Sequence, residues 1–197
     1  LSDQFSPDAS KAYNIATEIR LEGDFDEEKM RAALQALVDR HEALRTVFAA
    51  DGMTMTVLPE LQVEIPIVNV SKVSTLNDAV AKLYNEEAEQ QFDLQNGPLV
   101  RFKIVRLEER VHLVFICAHH IICDGWSLGI LTRELGEVYG AGFSSFKNLE
   151  SLSTPKQLSQ FASEQADLQR LEVFWKNEKY WLSQYENGVP VLDLPTD

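Results

Sequence analysis

Basic residues are scarce in this 197-residue sequence: Lys and Arg number 18 against 31 Asp and Glu, a formal net charge of −13. Nucleic-acid binding needs a basic face that displaces counterions from phosphates, so that class of partner is disfavoured. Docking on an anionic membrane is disfavoured on the same ground. Long apolar runs are missing too. The run at Val114–Ala118 is short, whereas a membrane-spanning helix needs about 20 apolar residues. No basic stretch leading into an apolar one opens the chain, so no signal peptide is expected. Cysteine is nearly absent. Cys117 and Cys123 lie in one segment, which is no disulfide framework and fits reduced thiols in a cytoplasmic protein. There is no internal repeat, low-complexity tract or long Gly/Ser/Pro linker.

What is present describes an ordinary globular composition: 45% hydrophobic and 25% charged residues, enough for a core and too apolar for global disorder. The chain begins at Leu1 without Met and stops at Leu194-Pro195-Thr196-Asp197 without a closing element. A piece of a longer polypeptide is therefore expected.

Residues 1–11 read as an irregular lead-in containing Pro7. Alternation of Tyr13, Ile15, Thr17, Ile19 and Leu21 predicts a half-buried strand over 12–21, closed by Gly23. Asp26 is a plausible N-cap, followed by Glu27 and Glu28 where a helix favours negative charge. Met30, Ala33, Leu34, Leu37 and Val38 then keep helical spacing to about Glu42 or Leu44. Asp51-Gly52 predicts a turn between short strands at 46–48 and 54–58. Val63, Ile65 and Ile67 alternate as a further strand, which Pro66 places at an edge. Ser74 is a candidate cap for a helix with Leu76, Ala79, Val80, Leu83 and Ala88 inward. Asn96-Gly97-Pro98 precedes a predicted hairpin of strands 99–107 and 111–118. A helix over 127–140 follows, with Leu128, Leu131, Leu135 and Val138 on one side. Residues 141–154 read as loop and 157–186 as helical, with the aromatics Phe174, Trp175, Tyr180 and Trp181 read as core. Adjacent strands mixed with helices predict an α+β fold, a mixed sheet flanked by helices.

One segment stands out for chemistry: Ala118-His119-His120-Ile121-Ile122-Cys123-Asp124-Gly125-Trp126-Ser127. A hydrophobic strand runs out at two histidines, a turn follows, and a helix starts. Such a junction exposes side chains at a cleft and points the first helical N–H groups at developing negative charge. Neighbours on a strand face opposite ways, so His119 and His120 cannot share a role. Alternation alone leaves open which faces the cleft, and a pair of semi-buried, hydrogen-bonded imidazoles is the plain alternative. Metal ligation is disfavoured, because no Cys-x-x-Cys or His-x3-His pair is present and adjacent histidines chelate one ion poorly.

His119 to Gly125 resembles the HHxxxDG motif of the condensation domains of nonribosomal peptide synthetases. Arg40-His41-Glu42-Ala43-Leu44-Arg45-Thr46-Val47-Phe48 is similar to that family's RHExLRTxF block, in the same order and about 75 residues upstream. Weaker echoes are Ala12-Tyr13-Asn14-Ile15, Phe92-Asp93-Leu94 with Gly97-Pro98-Leu99, and Val191 to Asp197. The resemblance implies a chloramphenicol acetyltransferase-like fold of two lobes in a V, with a tunnel between them. Residues 1–197 would form the N-terminal lobe, with the C-terminal lobe absent. The isolated fragment would be inactive, lacking half of the tunnel wall.

The same resemblance implies an amide-bond-forming acyltransferase. The amine of a carrier-bound aminoacyl thioester attacks an upstream carrier-bound acyl or peptidyl thioester. No cofactor is expected on the domain itself, since both substrates ride on phosphopantetheine arms. Donor and acceptor carrier proteins, the C-terminal lobe and neighbouring synthetase domains are the implied partners. Among implied catalytic residues, His120 faces the tunnel as general base or as the acceptor that positions the amine. Gly125 offers its backbone N–H, and His119 packs behind. Asp124 either orients an imidazole or forms a buried structural ion pair, with Arg40 as first candidate partner and Arg45 as second. His41 and His112 read as structural or packing residues, and Cys123 as a buried small hydrophobe. Leu158–Gln165 matches the family's aromatic-rich segment poorly. Two alternatives stay beside this reading: another HxxxD acyltransferase using coenzyme A thioesters, and a degenerate module that only docks carrier proteins.

Overall fold

The computed structural model describes residues 11–141, 152–168 and 170–189. Residues 1–10 of the predicted lead-in, most of the 141–154 loop and the Val191–Asp197 echo lie outside the described residues. The chain divides into two compact units, Leu1–Gln157 and Leu158–Asp197.

In the first unit, β1 (Asn14–Glu22) is followed by α1 (Glu27–Arg40), a 3-10 turn (Glu42–Arg45), β2 (Thr46–Phe48), β3 (Met55–Val57), β4 (Ile67–Asn69), α2 (Leu76–Glu89), β5 (Val100–Glu108), β6 (Val111–His119) and α3 (Gly125–Gly140). Four strands form one sheet in the order β1-β6-β5-β4, and β2 pairs with β3 separately. The pairs β1/β6 and β5/β6 are antiparallel while β4/β5 is parallel, so the sheet is mixed. The α+β architecture expected from the pattern is the one found.

The long hairpin is the spine of the unit. β6 is apolar and buried almost throughout because both of its faces are covered. Val114, Ile116 and Ala118 join Ile104, Phe102 and the buried stripe of α1 (Met30, Ala33, Leu34, Leu37, Val38) in one core, with Leu131, Leu135 and Val138 of α3. Leu113, Phe115, Val105 and Leu107 make a smaller core under α2. The stripe on α1 recurs at the spacing that puts side chains on one face, and its N-terminus is closed by Asp26, whose carboxylate accepts from the Lys29 N–H. β1 ends at Gly23, where φ is +120°, a conformation that residues with a Cβ rarely adopt.

Several local expectations are corrected. The strand read at 63–67 begins only at Ile67, because Pro66 has no N–H for a ladder; its carbonyl still accepts from the Ile104 N–H at 3.0 Å. The cap residue of α2 is Thr75, not Ser74, and no side-chain bond closes it. α1 stops at Arg40, since His41 is extended (φ −106°, ψ 113°) and the chain tightens into the 3-10 turn.

The second unit holds α4 (Leu158–Leu168) and α5 (Glu172–Gln184), so the continuous helix read over 157–186 is broken near 170. Phe174, Trp175, Tyr180 and Trp181 are exposed, which corrects their reading as core. Consecutive aromatics on a helix lie about 100° apart, so instead of one buried stripe they form edge-on neighbours, Phe174–Trp175 at 5.6 Å and Tyr180–Trp181 at 5.3 Å.

Candidate active site

The site is built where β6 ends. The His119 N–H donates to the Leu99 carbonyl at 3.0 Å and the His120 N–H to the Tyr13 carbonyl at 2.7 Å, so the strand's last residues are held from both sides. The pleat then separates the imidazoles: His119 is buried, at 3% exposure, and His120 is exposed. Of the two, His119 is thus the one that packs.

His119 packs between Tyr13 (ring centroids 6.0 Å) and Phe92 (6.1 Å, edge-on). Its Nδ1 accepts the Ile121 N–H at 3.1 Å, which places the ring proton of the neutral form on Nε2. Behind Phe92 stands Arg101, with its guanidinium carbon 3.7 Å from the ring centroid. Arg101 Nη2 donates to the Glu87 and Gln90 carbonyls, each at 2.8 Å, and Asn14 Nδ2 donates to the Ala88 and Gln90 carbonyls. These donors satisfy the carbonyls that the end of α2 leaves open. Arg101 was not singled out from the sequence; a cation inside an apolar strand was the available signal.

Asp124 is the N-cap of α3. Its Oδ1 accepts from Ser127 N at 2.8 Å and from Ser127 Oγ at 2.6 Å. The Ser127 side-chain hydrogen bond, then the backbone one, hold its carboxyl below the usual carboxylate range, and nearby His120 adds a smaller effect of the same sign. The expected buried ion pair is therefore not formed. Asp124 is exposed, and neither Arg40 nor Arg45 meets it. Ser127 stands in the first turn of the helix that Asp124 caps, within reach of a short side chain, while both guanidinium groups find partners elsewhere. Arg40 Nε pairs with Glu134 at 3.0 Å. Arg45 donates to the Val38, Leu58 and Pro59 carbonyls, tying α1 to the end of β3. Both arginines still brace the scaffold, through other partners than the one expected.

Glu134 is the residue the sequence pattern missed. It is buried on α3, three residues after Leu131 and four before Val138, within the apolar stripe. A carboxylate in that position requires partners, and His41 Nε2 supplies the second at 2.8 Å. A cavity of about 440 Å³ runs from Glu134 and His41 past Leu131 to Ser127 and Cys123.

The first N–H groups of a helix have no intrahelical acceptor. In α3 the Ser127 N–H goes to the Asp124 carboxylate and the Leu128 N–H to the Asp124 carbonyl. Those of Gly125 and Trp126 are left for another acceptor, at the positive end of the helix. A Cβ built on Gly125 would meet no atom within 4 Å, and its side is open. Cys123 is buried and its thiol is pushed up to about 11, by burial first and Asp124 second. It is a packing residue and not a thiolate nucleophile. His112 is likewise a packing residue, stacked on Phe25 at 4.2 Å.

Solved structures share this fold. The starter condensation domain of rhizomide synthetase RzmA superposes with a TM-score of 0.79 at 23% identity, over 92% of this chain and 44% of that one. SgcC5 from Streptomyces globisporus gives 0.74 at 24% identity, over 94% and 42%. The chain thus has the chloramphenicol acetyltransferase-like fold of condensation domains. Within that class the chain belongs to the condensation-domain family, whose model matches residues 3–197. A linear gramicidin synthase polypeptide of Brevibacillus parabrevis is 37% identical over 99% of this chain, and surfactin synthase subunit 2 of Bacillus subtilis (strain 168) is 34% identical over 96%. The chain spans 2% and 5% of the length of those two relatives.

Proposed function

We propose that this chain is the N-terminal lobe of a peptide-bond-forming condensation domain, with His120 and the start of α3 as its half of the active site. The observation that carries the reading is the exposed, backbone-anchored His120, followed in the chain within six residues by two helix amides without intrahelical acceptors. Coverage of 44% of a solved condensation domain supports the single-lobe assignment, and the synthetase relatives support carrier-bound substrates.

The chemistry asks little of the protein beyond placement. An α-amine has a pKa of about 8, so a useful fraction is neutral near pH 7. Its lone pair attacks the thioester carbonyl carbon, the C–N bond forms, and the carbonyl oxygen becomes an oxyanion. The Gly125 N–H, aimed outward from the positive helix end, would donate to that oxyanion. His120 would accept a hydrogen bond from the amine, orienting it, and take its proton as nitrogen becomes cationic. Collapse breaks the C–S bond, and the proton passes to the departing thiolate. The donor carrier is released as a free thiol and the acceptor carrier holds the amide. His119 holds the strand end and Asp124 the helix start. Donor and acceptor carrier proteins, a C-terminal lobe and neighbouring synthetase domains are the partners this reading requires, and no cofactor takes part.

The test is His120→Ala in the full synthetase that contains this chain. The amide product on the acceptor carrier should disappear while circular dichroism stays unchanged; undiminished product overturns the role of His120. Transfer from a coenzyme A thioester as fast as from a carrier protein would favour a coenzyme A acyltransferase instead.

A further inference from the structure

The node around Glu134 lies away from the reacting atoms, yet it joins the pieces that carry them. Glu134 Oε2 accepts from Arg40 Nε at 3.0 Å and meets His41 Nε2 at 2.8 Å, with the Glu134 and Arg40 side chains only 6% and 10% exposed. Arg40 also donates to the Ser153 carbonyl. Gln157 Nε2 donates to the Arg40 carbonyl at 2.9 Å, and Gln157 Oε1 accepts from the Glu42 N–H at 3.0 Å. Arg40, at the end of α1, and His41 thus meet the Glu134 carboxylate of α3, while Ser153 and Gln157 bond to Arg40 and to the Glu42 N–H beside it.

We infer that Glu134 is a positioning residue for the transfer reaction: clamped by Arg40 and His41, it fixes α3 so that the Gly125 and Trp126 amides stay in place beside His120. The inference rests on the proposed function. Glu134 follows Ser127 by seven residues, about two turns or 10 Å along a hydrogen-bonded rod. A rotation or slide at Glu134 therefore reappears at the first turn. The first turn has little else to hold it on its outer side, since Gly125 has no neighbour within 4 Å of a built Cβ and Trp126 is 82% exposed. The cavity between Glu134 and Ser127 leaves room for such a shift. Removing the carboxylate would leave the Arg40 guanidinium buried without its charge partner, and moving α3 is the relief open to it.

The experiment uses Glu134→Gln in the full synthetase, with Phe115→Leu in the smaller core as a destabilised control. In Glu134→Gln, kcat for amide formation should fall about 10- to 100-fold, the cost of a misplacement near 1 Å. KM for each carrier substrate should stay within about twofold, as for a group acting on the transition state. Amide exchange of the hydrogen-bonded N–H groups at 127–129 should quicken about tenfold. Phe115→Leu should leave all three near wild type. Equal kcat losses in both variants, or unchanged exchange at 127–129, overturn the inference. Should Glu134→Gln not fold, Glu134→Asp, which keeps the charge and draws it back by one methylene, is read against the same criteria. A wild-type synthetase that forms no amide defeats the proposed function, and the exchange measurement still decides what Glu134 holds in place.

Discussion

Asp124 and Ser127 are joined twice through a single oxygen, the backbone N–H at 2.8 Å and the hydroxyl at 2.6 Å both ending on Asp124 Oδ1. The aspartate of the His-His-turn-Asp-Gly segment is thus a helix cap whose carboxylate faces the helix it starts.

Substitution of Asp124 should therefore cost what a cap costs. Asp124→Ala should lose about 1 kcal/mol, against the 3–5 kcal/mol expected for breaking a buried ion pair. Asp124→Asn keeps an acceptor and should unfold near wild type. Urea unfolding of the three proteins checks this, and a loss above about 3 kcal/mol in both variants would restore the ion-pair reading.

Gly125 separates folding from function. It has open space where a Cβ would stand, and its φ is not positive. Gly125→Ala should fold with unchanged thermal stability. Amide formation should nevertheless slow, because the methyl group would occupy the approach to the Gly125 N–H. Wild-type rates in this variant would show that no substrate atom comes close there.

His112 gives the fold a pH dependence. It is buried at 2% exposure, and neither ring nitrogen has a hydrogen-bond partner among the described residues. Burial first, then Arg106, push its pKa below 6.5, against a smaller opposing effect of Glu27. The folded state therefore binds fewer protons than the unfolded one between the lowered value and 6.5. By linkage, stability is fully present above pH 6.5 and is lost as pH falls through the folded value. His112→Phe, which keeps the stack on Phe25, should flatten that part of the curve. Melting temperatures from pH 8 to 5 read the effect, and equal slopes for both proteins would exclude it.

Much of the fold is legible in the sequence because periodicity reports which way a side chain faces. The stripe from Met30 to Val38, the hairpin of β5 and β6, and the strand-to-helix junction at His119–Gly125 all follow from it. Partners are another matter. Arg40 and Glu134 stand 94 residues apart, and no local pattern says which of several carboxylates a guanidinium will find. The one available clue was a charged residue inside the apolar stripe of α3. The two histidines were separable in principle by alternation, but choosing between them required the core on each face of β6. The aromatics of α5 mislead because helical spacing shows a possible face, not a partner to cover it.

The two thiols have a practical consequence. Cys117 and Cys123 are both buried, and burial raises both above the ordinary thiol value, Cys123 to about 11. Alkylating reagents act on thiolates, so near neutral pH Cys117 and Cys123 should react slowly with maleimides. A cysteine introduced at an exposed position such as Met53, 82% accessible, would take a fluorophore or spin label selectively. Such a label would report on this chain without removal of Cys117 or Cys123.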